Sequence, residues 1–233
     1  MPRIEYRRVV HLSHVIDERI PLWPGDPPVQ LQSTADLKTD GYSLRRISMG
    51  EHSATHFNTP RTFSESGHGA DEYEATPLIA PAVVIDCSDQ AAKNADFRLG
   101  IEDVLAWEAK HGAIRSGDLV LLNSGWDCYW GDPDRFLGKS QTGLHFPGFG
   151  GDAVGFLLDE RRIAGIGIDT HGVDGGQDQS FETNRLVLER GGIVLENLAG
   201  LAELPAVGAT LVIGILRLRE GTGSPVGVLG LIP

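Results

Sequence analysis

Residues 52–63 read His-Ser-Ala-Thr-His-Phe-Asn-Thr-Pro-Arg-Thr-Phe and place two histidines four positions apart. If the segment is extended, His52, His56 and Asn58 share one face, because side chains alternate with period two. If it forms a helical turn, His52 and His56 still share a face by their i,i+4 spacing. Pro60 disfavours a long helix, since it pushes the residue before it toward extended geometry. Both geometries bring the imidazoles together and make a metal pair plausible, although this spacing alone is also typical of histidines that bind no metal.

The composition of the 233-residue chain is that of an ordinary globular protein, with 41% hydrophobic and 22% charged residues. That length suits one large domain over residues 1–233. The net charge of -12 argues against a nucleic-acid partner, because phosphate contacts need a basic surface. No apolar run approaches the roughly 20 residues that span a bilayer, and no secretory signal is evident, so we expect a cytoplasmic protein with no membrane partner. Cys87 and Cys128 are expected to be buried, reduced thiols.

Short β-branched apolar runs alternate with amphipathic segments through the middle of the chain. Their length and composition predict buried strands at 82–86, 119–122, 163–168 and 210–216. Apolar residues near one face predict helices at 101–111 and 152–162. The alternation predicts an α/β fold, a single domain with a mixed β-sheet.

A second feature is the turn at 22–28, which reads Leu-Trp-Pro-Gly-Asp-Pro-Pro. Its prolines and glycine make it rigid, so Trp23 is held in a defined position. Trp23 either closes the core as a lid or forms the aromatic wall of a pocket, and the sequence leaves both open. Phe57, Phe63 and Phe149 are expected to add aromatic faces to such a pocket, which favours a flat or apolar ligand.

Two further segments place carboxylates in or at the end of apolar strands. Residues 165–174 read Gly-Ile-Gly-Ile-Asp-Thr-His-Gly-Val-Asp, a strand running into a polar turn where Asp169 either caps the turn or lines a crevice. Glu196 lies in the otherwise apolar segment 192–198. A carboxylate there needs an arginine, backbone amides or a cation as its partner, so a structural ion pair and a metal ligand both fit.

Together these segments resemble the cyclase family of metal-dependent hydrolases, which includes bacterial kynurenine formamidase and isatin hydrolase. The family signature is His-x-Gly-Thr-His-x-Asp-x-Pro-x-His-Phe, and residues 52–63 keep its order and spacing. The opening Val-His-Leu-Ser-His at 10–14, the Trp-Pro-Gly-Asp-Pro turn and the segments around 169 and 196 extend the match over nearly the whole chain. The resemblance implies the swivelling β/β/α fold of that family and a homodimer or homotetramer.

The resemblance also implies a metal site. In the family, the two His and the Asp of the signature bind divalent metal, which here corresponds to His52, His56 and position 58, and Glu196 matches a distal Glu that closes the shell. That Asp can bridge two zinc ions, a second His twelve residues before the Glu helps hold one of them, and the last His of the signature is the acid/base. Trp23 matches a position that contacts substrate.

This sequence departs from the family at three of those places. Asn58 stands for the Asp, Thr62 for the acid/base His, and Asn184 for the distal His. An Asn offers one carbonyl oxygen without charge and bridges two cations poorly. We therefore predict a single divalent ion, Zn or Mn, with the ligand set His52, His56, Asn58 and Glu196. The substitution Asn58→Asp is expected to tighten metal binding by restoring a charge.

Three functions compete for such a site, all with a small-molecule ligand. We favour a metal-dependent hydrolase that opens a cyclic or aryl amide, a lactam or a lactone. A metal-assisted lyase or cyclase without net hydrolysis and a non-catalytic binding protein that retains the pocket stay open.

The missing acid/base His leaves several residues as catalytic candidates. Glu196 qualifies if it is not fully committed as a ligand, and Thr62 occupies the acid/base position. His171 is a replacement base in the turn after residues 165–168, although a turn-stabilising role competes. His68 is a looser alternative on a loop, and His145 is expected to pack beside its neighbours. The candidates for substrate binding are Trp23, Phe63 and Asn184.

Overall fold

The computed structural model describes residues 4–233, and most of their strands have six residues or fewer. In chain order they are β1 (Arg8–His11), β2 (Gln30–Ala35), β3 (Leu44–Ser48), β4 (His56–Asn58), β5 (Ile79–Asp86), β6 (Arg98–Leu99), β7 (Leu119–Asn123), β8 (Gly148–Phe149), β9 (Gly165–Ile168), β10 (Ile193–Glu196), β11 (Ala209–Ile215) and β12 (Gly223–Ile232). The helices are α1 (Leu37–Asp40), α2 (Ser88–Lys93), α3 (Ile101–His111), α4 (Pro133–Phe136), α5 (Gly151–Phe156) and α6 (Glu182–Leu188). A π-helical turn, Leu157–Arg161, continues α5.

Within residues 4–233, eight of these strands form one mixed sheet in the order β1-β12-β11-β5-β7-β9-β10-β4. Its centre is parallel, because β5 pairs with β7, β7 with β9, and β9 with β10 in the same direction. The flanking pairs are antiparallel. Strand β4 pairs with β10 on one side and with β12 on the other, so the sheet closes on itself at β4.

Apolar side chains fill both faces of this sheet. On β7, Val120 and Leu122 pack with the helices in one cluster, and Leu119 and Leu121 pack inside the closed sheet in another. A strand covered on both faces has no polar alternation, which is why these strands read as continuous apolar runs. The predicted α/β fold with a mixed sheet is confirmed, and α3 spans the predicted residues 101–111.

Some local expectations differ from the structure. Segment 52–58 is neither fully extended nor helical, because a turn carries residues 51–55 and a strand begins only at His56. Both cysteines are free and Cys87 is buried as expected, but Cys128 is exposed, since the Trp-rich stretch around it forms a surface turn. In residues 4–233 no helix has the length and apolar character that a membrane crossing requires.

Candidate active site

One cavity of about 290 Å³ opens beside the closure of the sheet. It lies where β4, the carboxyl ends of β9 and β10, the start of α6 and the Trp23 turn meet. The predicted metal ligands, catalytic residues and substrate-binding residues all lie in its walls: Trp23, His52, His56, Asn58, Thr62, Phe63, His171, Asn184 and Glu196. Residues far apart in sequence therefore share one chamber of the size that holds small molecules.

His56 is held rigidly by the sheet. It is directly opposite Glu196 on the neighbouring strand, and Nε2 of its ring lies 3.0 Å from Oε2 of that carboxylate. Its Nδ1 lies 2.9 Å from the carbonyl oxygen of Ala54, which can only accept, so Nδ1 carries the proton. Ala54 takes the left-handed conformation, with φ 58°, at the place of the signature glycine. In the neutral ring, Nε2 therefore offers a lone pair to the cavity.

His52 reaches the cavity from the turn before β4. Its Nε2 lies 3.1 Å from the hydroxyl oxygen of Thr222, which itself donates to Oε2 of Glu51 at 2.7 Å. Because that hydroxyl has one proton, Nε2 of His52 is the donor in the first contact. Burial and the neighbouring His56 lower the pKa of His52, which favours the neutral ring. The lone pair of His52 is then on Nδ1, which lies 2.9 Å from Oδ1 of Asn58.

Both carboxylate oxygens of Glu196 have polar partners in the protein. Its Oε1 accepts from the backbone N–H of Val173 and from the amide of Asn184, both at 2.9 Å, and its Oε2 faces His56. Burial would raise the pKa of Glu196, but the facing His56 ring and the hydrogen bonds from Val173 and Asn184 outweigh it and hold the pKa at about 2. The carboxylate is therefore ionised and does not serve as a free base.

The chemistry of these donors fits one metal ion. In the neutral rings, a lone pair of each imidazole faces an oxygen acceptor, at 2.9 Å for His52 and 3.0 Å for His56, and a shared cation would satisfy both contacts. The two imidazole rings are perpendicular, with centroids 5.4 Å apart. The other nitrogen of each ring, Nε2 of His52 and Nδ1 of His56, already has a hydrogen-bond partner, as is usual for metal-binding histidines. Within residues 4–233 no three His, Cys, Asp or Glu side chains converge on one metal position, so His52, His56 and Glu196 are not preassembled as a three-ligand site. Asn58 would add an amide oxygen to these donors. Asn184 donates its amide hydrogens to Glu196 and therefore does not take the place of the family's second metal-binding His.

His171 presents the one unpaired ring nitrogen of the cavity among residues 4–233. The side chain is buried, with 4% of its surface exposed, and its Nε2 has no hydrogen-bond partner in the protein. Its ring centroid is 5.5 Å from that of Trp23 and 6.4 Å from that of His56. Burial lowers the pKa of His171 to about 4, so the ring is neutral near pH 7. A neutral imidazole with a free nitrogen at this position can accept a proton or a hydrogen bond.

The other catalytic candidates are less suitably placed. The Thr62 hydroxyl donates to the backbone carbonyl of Thr222 at 2.6 Å. His68 is exposed and lies 3.7 Å from Glu72, outside the cavity walls. His145 does not merely pack beside its neighbours, because its Nδ1 is 2.9 Å from the carboxylate of Asp96. Neither His68 nor His145 lines the cavity.

A family model described as "Putative cyclase" matches residues 10–175, well over half of the chain. The chain belongs to the cyclase family. Isatin hydrolase of Roseibium aggregatum is 37% identical over 217 residues, which cover 89% of this chain and 82% of that protein. Kynurenine formamidase of Sphingopyxis alaskensis is 27% identical over 224 residues, covering 94% and 95%. The crystal structure of an isatin hydrolase bound to the product analogue thioisatinate superposes with a TM-score of 0.91 at 35% identity, covering 97% of this chain and 92% of that one. The predicted family and hydrolase class agree with these relatives.

The aromatic walls of this cyclase-family cavity differ from the sequence prediction. Trp23 and Phe63 line it as predicted. Phe57 and Phe149 do not, because both are fully buried in the hydrophobic clusters on the two faces of the sheet. Phe181 takes their place, with its ring centroid 6.2 Å from Trp23 and 5.6 Å from Phe63.

Sequence reasoning missed Phe181 because no local pattern marks it. It is a non-glycine residue in the left-handed region, with φ 56°, a conformation that bulky side chains rarely adopt. Its backbone N–H donates to Oδ1 of Asp178 at 3.0 Å, and that oxygen also accepts from the backbone N–H of Ser180. The Asp178 turn thereby aims the ring into the cavity.

The charged groups of the cavity are all acidic. Its walls include Asp26, Asp174, Asp178 and Glu196, and no lysine or arginine of residues 4–233 lines it. Burial raises the pKa of Asp174, although three hydrogen bonds from Thr183 and Asn184 oppose the shift. A cavity of this kind suits a neutral or cationic ligand better than an anion.

Proposed function

We propose that this chain is a hydrolase that opens a cyclic or aryl amide, with lactams and lactones as the related class, and that it depends on one divalent ion, Zn or Mn. The observation that carries the proposal is the pair of imidazole lone pairs facing oxygen acceptors inside an aromatic-walled cavity. The names of the relatives, isatin hydrolase and kynurenine formamidase, support an amide as the bond that is broken.

We propose His52, His56, Asn58 and Glu196 as the residues that would hold the ion. When bound, such an ion polarises a carbonyl group and lowers the pKa of a water molecule. Strand pairing, Ala54 and Thr222 fix the orientation of Glu196 and of the two imidazoles, whereas the three side chains would still have to move together to share one ion. An amide in the set lowers the total ligand charge, and we expect weaker binding than a site with two carboxylates would give.

We propose His171 as the general base. Its unpaired Nε2 is the acceptor available to take the proton of an attacking water, and its neutral state near pH 7 keeps the lone pair free. The same nitrogen can return that proton to the leaving amine. Thr62 has its proton engaged with Thr222 and is left with a packing role at the wall.

The walls indicate the class of substrate. The Phe181 ring lies between those of Trp23 and Phe63, with centroids 6.2 Å and 5.6 Å away, and these aromatic walls suit an aryl group. The acidic lining favours a substrate that is neutral at its reacting end. Hydrolysis of an amide creates a carboxylate, and Asp26, Asp174 and Asp178 would then repel the product and assist its release.

We further propose a homo-oligomer. The β2–β3 hairpin and its tip expose a cluster of apolar side chains, with Leu37 66% exposed and Ile47 61% exposed, together with Tyr42 and Leu44. Such a patch on a two-stranded ribbon is typical of a protein interface, and a second copy of the chain is the partner that the family resemblance implies. The cytoplasmic location stays a prediction.

The test combines metal analysis with a substrate panel. Protein purified without added metal is analysed for Zn and Mn, then assayed with isatins, N-formyl anilines and aryl lactones in ¹⁸O-labelled water. We expect close to one ion per chain and label in the carboxylate product. A chain that neither contains nor takes up either metal would refute the proposal. Turnover without incorporation of ¹⁸O would instead identify a lyase or cyclase.

A further inference from the structure

Four side chains form a hydrogen-bonded row along one wall of the cavity: Asp174, Asn184, Asn58 and His52. Nδ2 of Asn184 lies 3.0 Å from Oδ2 of Asp174. Oδ1 of Asn184 accepts from Nδ2 of Asn58 at 2.9 Å, and Oδ1 of Asn58 lies 2.9 Å from Nδ1 of His52. Both asparagines are buried, with 3% of their surface exposed, so their amides depend mainly on these protein partners.

The donors and acceptors of this row can be arranged in only one way. The Asn184 amide nitrogen lies between two carboxylates, those of Asp174 and Glu196, at 3.0 Å and 2.9 Å. Because carboxylates accept and do not donate, this end of Asn184 has to be the NH₂ group. Turning the amide over would place its oxygen against both carboxylates.

The orientation of Asn184 then fixes that of Asn58. Since Asn184 offers an oxygen to its neighbour, Asn58 must present its NH₂ group there. The carbonyl oxygen of Asn58 is left to face His52, on the side where a cation would be held. An amide nitrogen in that position could not bind a cation at all.

We propose that Asp174 and Asn184 are positioning residues that lock the carbonyl oxygen of Asn58 toward the ion, and that Asn58 and Asn184 work as a matched pair. The part that concerns the ion rests on the proposed function, whereas the lock itself is a property of the protein without metal. The inference explains why two departures from the family signature, at positions 58 and 184, occur in one chain: an amide at 58 needs an acceptor at 184.

For Asn58→Asp, the matched pair predicts the opposite of the tighter metal binding that the restored charge alone predicts. A carboxylate at this position would lie against Oδ1 of Asn184, at a place where the two groups are now 2.9 Å apart. Asn184 cannot turn to relieve the contact, because its oxygen would then face Asp174 and Glu196. The added charge alone therefore destabilises the site, and metal binding weakens instead of tightening.

A double-mutant cycle tests the matched pair. The variants are Asn58→Asp, Asn184→His, the double variant, and Asn94→Asp as a control that adds the same charge on the exposed surface. Two quantities are measured: the unfolding midpoint of metal-free protein, and the dissociation constant for Mn²⁺ by calorimetry. We expect Asn58→Asp alone to lower the midpoint and to weaken Mn²⁺ binding on the order of tenfold, and the addition of Asn184→His to reverse both effects. Additive effects, or tighter binding by Asn58→Asp alone, would overturn the inference.

A second measurement applies if Asn58→Asp does not fold. In the unsubstituted protein, the side-chain amide protons of Asn58 and Asn184 should exchange slowly with solvent, by NMR, and those of Asn58 should lose protection in Asn184→Leu. Rapid exchange of the Asn58 amide in the unsubstituted protein would overturn the lock. Because neither midpoint nor exchange needs metal or substrate, a failure here is distinguishable from a failure of the hydrolase proposal.

Discussion

The hydroxyl of Thr222 lies 3.1 Å from Nε2 of His52, and this contact decides which nitrogen of the ring carries the proton. Replacing the hydroxyl by a methyl group in Thr222→Val leaves Nε2 without its acceptor, so the proton can move to Nδ1. Loss of an outer partner of a metal-bound histidine typically costs about 10- to 100-fold in metal affinity. We expect a loss of that size for Mn²⁺ or Zn²⁺ by competitive titration.

Thr34→Val is the matched control for this substitution, since Thr34 is an exposed residue of β2. It should leave metal affinity unchanged. Unaltered affinity in Thr222→Val as well would show that His52 does not bind metal through Nδ1.

Removal of the central imidazole should abolish metal binding. His56→Ala deletes one of few ligands and leaves Oε2 of Glu196 buried without the facing imidazole, so the free energy of unfolding also falls by about 3 kcal/mol. Elemental analysis of the purified variant checks the first effect and a denaturant titration the second. His68→Ala, at an exposed histidine outside the cavity, should change neither. Full metal stoichiometry in His56→Ala would mean that the ligand assignment is wrong.

Loss of the base should separate catalysis from metal binding. His171→Gln removes the unpaired Nε2 and keeps much of the volume of the side chain. We expect kcat to fall by roughly 10²- to 10⁴-fold, the usual contribution of a general base, with metal content unchanged. Steady-state kinetics give kcat, and elemental analysis of the same preparation gives the metal content. A variant that retains kcat would assign the proton transfer to another group.

Phe181→Gly should affect aromatic substrates selectively. It relieves the left-handed backbone but deletes one wall of the cavity. An aromatic contact of this kind is worth roughly 0.5–1.5 kcal/mol, so KM for an aryl amide should rise by about threefold to tenfold. An aliphatic lactone should show little change. Equal effects on both substrates would indicate that Phe181 shapes the fold and not the binding of aryl groups.

The stability of the protein should fall as the pH drops below 6.5. Burial lowers the pKa of both His14 and His171 to about 4, and His14 stacks on Trp130 with ring centroids 3.9 Å apart. A histidine whose pKa is lower in the folded state stabilises the fold above its unfolded pKa, and this contribution is lost as pH falls toward 4. Each contributes at most about 3 kcal/mol.

Denaturant titrations between pH 7 and pH 4 measure this slope. His14→Gln should make it shallower, because one fewer proton is taken up on unfolding. An unchanged slope in that variant would mean that groups other than His14 take up the protons on unfolding.

Much of the architecture could be predicted from the sequence because buried strands carry a strong signal. The run at 119–122 is apolar on both faces, and the structure covers both faces of β7. The segment 52–58 was harder, because its conformation is imposed by long-range pairing. Strand β4 has only three residues and exists through its contacts with β10 and β12.

The sequence predicts which residues line the site, but not the hydrogen bonds among them. Spacing and family resemblance pointed to His52, His56 and Glu196, and all three line the cavity. Nothing local to the sequence could assign the tautomer of His52, which depends on Thr222, nor the orientation of Asn58, which depends on Asn184. Phe181 escaped detection because its position depends on a turn around Asp178.

The place of β4 between β10 and β12 has a consequence for the protein during its synthesis. Both partner strands belong to the C-terminal part of the chain, whereas His52 and His56 leave the ribosome early. His52 and His56 therefore lack the strands that position them until Glu196 and Gly223 have left the ribosome. Long-range closure of this kind is slow. A nascent chain accordingly has no assembled cavity, because the two strands that hold β4 are synthesised late.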